Sequence, residues 1–134
     1  MDGVAESLIG IDERSELFRR FLDTVGPHHV DTEINDRVTI YCCHGAGIEV
    51  SCCRKTRRVT VVVTYRAGAT PQYAELRGPL PLGLSFGATI EQAKSSLGDS
   101  AEADGEGLRL SGPDYTLSTK FDRKGRLCRV ALFT

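Results

Sequence analysis

Residues 37–65 read RVTIYCCHGAGIEVSCCRKTRRVTVVVTY, and their apolar side chains recur with a period of two. That period belongs to extended chain, whose successive side chains point to opposite faces of a sheet. Arg37 to Cys43 and Gly47 to Cys53, separated by His44-Gly45-Ala46, predict two antiparallel strands; Arg57 to Tyr65, carrying Val59, Val61, Val62 and Val63, predicts a third. Upstream, Leu17, Phe18, Phe21, Leu22 and Val25 form one stripe of a helix over 15–25 that Gly26-Pro27 ends. Asp12 is its expected N-cap, and Val4, Leu8, Ile9 and Ile11 predict a short helical turn before it.

Downstream the pattern returns. Arg66 to Gln72 reads as a break, and Gly78-Pro79-Leu80-Pro81-Leu82-Gly83 as a stiff connector that no helix or strand crosses. Thr89 with Gln92 makes a capping box, followed by Ile90, Ala93 and Leu97 at helical spacing and a stop at Gly98. Asp99 to Gly107 reads as an acidic loop bearing Asp99, Glu102, Asp104 and Glu106. Leu108 to Ser111, Tyr115 to Asp122 and Arg126 to Phe133 then predict three more strands. A shift of 72 lays Phe18 on Ile90, Phe21 on Ala93, Val25 on Leu97 and Gly26 on Gly98; a shift of 68 lays Val59, Val62 and Tyr65 on Leu127, Val130 and Phe133. The expected fold is therefore α+β: two tandem helix-plus-three-strand repeats, approximately 1–66 and 79–134 with 67–78 as connector. Together they form one domain with an antiparallel sheet of about six strands and helices packed on one face.

With 134 residues the chain suits one domain, and 40% hydrophobic against 26% charged residues excludes wholesale disorder. A net charge of −1 provides no global field for nucleic acid or an anionic membrane. No apolar stretch approaches the roughly 20 residues of a membrane span, and the start, Met1-Asp2-Gly3-Val4-Ala5-Glu6, is acidic where an export signal would be basic. Five cysteines, an odd number, then predict reduced thiols and a cytoplasmic location.

Tyr73, Gly78, Leu80-Pro81, Gly83-Leu84-Ser85-Phe86-Gly87, Thr89, Glu91, Ala93 and Leu97-Gly98 together resemble the half-repeat of a broad group of small bacterial proteins. That group includes suspected toxin-immunity proteins whose fold is similar to the β-lactamase inhibitor protein, and small outer-membrane assembly lipoproteins resemble the same half-repeat. The chain departs from the pattern at Asp99-Ser100, where Pro is usual, and at Leu108, where an aromatic residue is common. The resemblance implies a non-enzymatic protein that grips and blocks a partner protein, in its most concrete form an immunity protein neutralising a cognate toxin.

No phosphate loop, nucleophile elbow or His-Glu-x-x-His motif is present, and the sequence predicts no catalytic, cofactor or metal site. Cys42, Cys43, His44, Cys52 and Cys53 invite a zinc reading, with a thiol- or zinc-containing scaffold as the alternative function. Adjacent residues on a strand point apart, however, so alternation sends Cys42 with Val38 and Ile40, and Cys52 with Ile48 and Val50, to the core. His28 and His29 read as solvated loop residues, and Arg54-Lys55-Thr56-Arg57-Arg58 as a basic turn. The expected partner surface is the outward sheet face. Glu49 and Ser51 lie on it in the first repeat, Thr116, Ser118 and Lys120 in the second, and Tyr41 with Thr39 joins them.

Overall fold

The computed structural model describes residues 3–105 and 107–134. The start at Met1-Asp2 and the Glu106 position of the acidic loop lie outside the described residues. Helices α1 (Val4–Leu8) and α2 (Glu16–Val25) precede strands β1 (His29–Asp31), β2 (Val38–Cys43), β3 (Ile48–Cys53) and β4 (Val59–Tyr65). After the connector come α3 (Ile90–Leu97) and strands β5 (Glu102–Asp104), β6 (Gly107–Ser111), β7 (Thr116–Phe121) and β8 (Leu127–Phe133). All eight strands form one antiparallel sheet in the order β1-β2-β3-β4-β8-β7-β6-β5.

The sheet thus has eight strands where about six were expected. The two additions, β1 and β5, are three-residue edge strands cut from segments that read as loops. Pairings this short are held by backbone hydrogen bonds to β2 and β6, and their largely exposed side chains carry no period to read. The connector also contains a short 3-10 turn, Pro81–Gly83.

Local chemistry explains the helix ends. Ser15, not Asp12, caps α2: its hydroxyl accepts from the Phe18 N–H at 3.2 Å. The Asp12 carboxylate accepts instead from the Arg14 N–H at 2.8 Å and pairs with the Arg14 guanidinium at 2.8 Å, while the Asp12 backbone forms an isolated antiparallel β-bridge with that of Arg58. For α3 the capping box of Thr89 and Gln92 forms as expected. The buried stripe of α2 is narrower than its periodicity suggests: Phe18 and Phe21 are buried, and Leu17 stands 64% exposed.

One core cluster takes Ala5 and Leu8 of α1, Phe18 and Phe21 of α2, and Ala93 and Leu97 of α3 against a single face of the sheet. That face presents Cys43, Ile48, Val50, Cys52, Val59, Val62, Leu108, Leu117, Phe121, Leu127, Val130 and Leu132. β4 and β8, apolar on both faces, are the two middle strands, and a bulge interrupts the pairing of each with its outer neighbour. At their junction the buried Thr64 hydroxyl donates to the Val130 carbonyl at 3.0 Å.

The face assignment of β2 differs from expectation. Residues directly opposite in an antiparallel pair share a face, and Thr39, Tyr41 and Cys43 stand opposite Cys52, Val50 and Ile48. Cys43 is therefore buried under the helices, while Val38, Ile40 and Cys42 look the other way. Apolar residues occupy both parities of β2, so alternation alone does not decide; the pairing with β3 does.

Candidate functional site: the uncovered sheet face

The opposite face of the sheet takes no part in the helix-covered cluster, and its own buried side chains gather at one end, where Tyr73 covers Tyr65. Val38, Ile40, Val61, Val63, Ala131 and Phe133 lie on it, remain partly exposed and stand apart from the helix-covered cluster. The strand register arranges this face in rows. One row runs Ile40, Ser51, Val61, Phe133, Thr116, Ser111. The next runs His29, Cys42, Glu49, Val63, Ala131, Ser118, Arg109, Glu102. A third holds Tyr65, Arg129 and Lys120.

Five of the six sequence-predicted contact residues therefore share one surface. Ser51 and Thr116 flank Val61 and Phe133; Glu49 and Ser118 flank Val63 and Ala131, each pair three strand spacings or about 14 Å apart. Lys120 lies in the third row. Sequence reasoning missed the apolar centre between them, whose only signal was that β4 and β8 are apolar on both parities. It also missed Arg109, whose guanidinium sits 5.3 Å from the centre of the Phe133 ring.

Tyr41 is the exception and belongs to the other face. Its ring packs edge-on against Phe18 with centroids 4.9 Å apart, and its hydroxyl donates to Glu13 Oε2 at 2.6 Å. Burial, with the Glu13 carboxylate behind it, raises the Tyr41 phenol above its ordinary range. Tyr41 is an anchor between β2 and the helix layer, and Thr39 goes with it.

Glu49 is held in place at one end of the uncovered face. The chain after β4 doubles back past Gly47, where an added Cβ would lie 2.3 Å from the Ala74 carbonyl oxygen. The Ala74 and Leu76 N–H groups donate to the His44 and Tyr65 carbonyls at 2.8 and 2.9 Å. This return lays Tyr73 flat on Tyr65, ring centres 4.2 Å apart, and lets the Tyr73 hydroxyl donate to Glu49 Oε1 at 2.9 Å. Burial pushes the Tyr65 phenol up to about 12 and, together with the Glu49 contact, raises that of Tyr73 further.

The thiols do not converge. Cys43 and Cys52 lie under the helices, where burial pushes them up to about 11 and about 12 respectively. Cys42 and Cys53 lie on the uncovered face, four residues' worth of register apart, opposite Glu49 and Val38. All five cysteines are free, and among the described residues no group of three or more His, Cys, Asp or Glu side chains is placed to hold a metal ion. The basic turn is largely used by the chain itself: Arg57 pairs with Glu13, Arg58 donates to the Gly10 carbonyl at 2.8 Å and Arg54 to that of Thr32. His28 Nδ1 lies 3.1 Å from the Gly26 carbonyl, and His29 sits on the edge strand opposite Cys42.

No described helix is long and apolar enough to cross a membrane. Comparison with known proteins adds no relative: no family model, curated protein or solved structure matches the chain.

Proposed function

We propose that the chain is a non-enzymatic protein-binding module that receives a partner protein on the uncovered face of its sheet. The observation that carries this reading is the composition of that face. An apolar centre of Val61, Val63, Ala131 and Phe133 is bordered by Ser51, Thr116 and Ser118 and by the charged Glu49, Arg109 and Lys120. An apolar middle inside a polar, partly charged rim is the anatomy of a protein interface. A sheet already paired along its length is also rigid, so little conformational entropy is lost when a partner covers it.

The most concrete form is an immunity-type inhibitor that occludes the active site of a cognate toxin, the function implied by the Leu80–Gly98 resemblance. In this reading the chain is two tandem copies of a helix-and-strands unit. Supporting it, each half runs helix then strands, and the strand order of one half mirrors the other about the β4–β8 pair. The module acts in the cytoplasm, a compartment in keeping with five free thiols.

Co-expression tests the immunity form directly. The chain should rescue cells from the toxin it binds, and Ser51→Arg with Ser118→Arg should abolish both rescue and binding. Full binding by that double variant would move the contact off the sheet face.

A further inference from the structure

At the end of the uncovered face where the third row lies, a cleft of about 880 Å³ opens between the sheet, the turn after β4 and the β7–β8 turn. Its walls include Tyr65, Thr70, Lys120, Arg123, Cys128 and Arg129. Two features of this cleft are not needed by the fold. First, Lys120 and Arg129 face each other directly across the β7–β8 pair, a placement in which like charges repel. Second, neither cation, nor Arg123 beside them, has an ion-pair or hydrogen-bond partner for its side chain among the described residues. The one acid on the wall, Asp122, is already engaged: it accepts from the Lys124 and Arg126 N–H groups at 2.9 and 3.0 Å and lies 3.6 Å from the Arg66 guanidinium.

A concave site with three cations that lack ion-pair partners is complementary to a compact, multiply charged anion. We propose that this cleft binds a phosphoryl group, with Lys120, Arg123 and Arg129 neutralising its oxygens. A phosphoryl dianion carries close to two charges and three acceptor oxygens, which suits three cations better than a single carboxylate does. Guanidinium groups add the planar fork that matches such oxygens two at a time. The cleft lies beyond the apolar centre on which the protein-binding reading rests and shares only Lys120 with its rim, so Arg123→Gln tests the anion site without altering that face.

Thermal unfolding with inorganic phosphate as the probe, against sodium chloride at equal ionic strength, tests the proposal. Phosphate should raise the midpoint of the wild-type chain and chloride should not, because a ligand that binds only the folded state stabilises it by mass action. Lys120→Glu reverses one charge and gives Arg129 a partner across the strands. It should unfold at the same or a higher temperature without phosphate, yet bind phosphate at least ten-fold more weakly by titration calorimetry. Arg123→Gln, in the exposed turn, should weaken binding in the same direction without touching the sheet. Phenyl phosphate distinguishes the sources: tighter binding than inorganic phosphate indicates a phosphate ester as ligand, and equal binding a free phosphate. Equal responses to phosphate and chloride, or phosphate binding undiminished in both variants, would overturn the site.

Discussion

Tyr41 shows how one hydroxyl can fix a residue's role. Its O–H donates to Glu13, whose carboxylate also pairs with Arg57, so a single acid ties β2 to the turn between β3 and β4. Tyr41→Phe removes a hydrogen bond to a charged acceptor and should cost about 2 kcal/mol in urea unfolding, with partner affinity unchanged. Lost affinity at unchanged stability would return Tyr41 to the contact surface. The buried thiols give a second residue-scale test. Cys43 and Cys52 are held at about 11 and about 12, above the ordinary value of 9.0, so the unfolded chain releases these protons first. The sign follows: their contribution is intact below about pH 8.5 and is lost as pH rises through the 9–12 window. Tyr65 and Tyr73, also raised, act in the same direction. Urea midpoints measured from pH 7 to 10.5 should stay level and then fall, and a rise toward pH 10.5 would contradict the burial of these groups.

Among the elements, α3 depends on its cap and the β2–β3 turn depends on one glycine. Thr89→Ala removes the hydroxyl that accepts from Gln92 N–H and should cost about 1 kcal/mol. Gly47→Ala should cost more, about 2 kcal/mol or above, because Gly47 has φ +70 and its new methyl would meet the returning backbone at Ala74. Denaturant midpoints of the two variants check that order. The same elements mark where the sequence was legible. The capping box of α3, the stripe of α2 and the six longer strands each carry several residues of period, and their extents follow from it. β1 and β5 carry three residues each, and no period exists over so short a span. The face of β2 was illegible for another reason: Val38, Ile40 and Cys42 are as apolar as Tyr41 and Cys43. Only pairing with β3, a contact between segments, separates the two sets. Of the contact surface, Glu49, Ser51, Thr116, Ser118 and Lys120 followed from alternation. The Tyr73–Glu49 contact and the Lys120–Arg129 apposition could not, since they join residues 24 and 9 positions apart through the fold.

At the scale of the molecule, the division of labour is between two faces of one sheet. The helix-covered face buries the main core cluster; the uncovered face, apart from the Tyr65–Tyr73 stack at one end, carries partly exposed side chains outside that cluster. Substitutions there should therefore separate binding from folding. Ser51→Arg and Ser118→Arg place long charged side chains beside the apolar centre without entering the core, and should leave the unfolding midpoint within about 0.5 kcal/mol of wild type. Leu17→Glu, on the exposed side of α2, serves as a control at a distance from that face. The most direct measurement is a parallel capture from the lysate of the source cells using tagged, reduced wild-type chain, the Ser51→Arg/Ser118→Arg variant and Leu17→Glu, with mass spectrometry of what each retains. Binding through the uncovered face predicts one dominant protein held by the wild type and by Leu17→Glu and lost from the double variant. Retention of that protein by the folded double variant would contradict it.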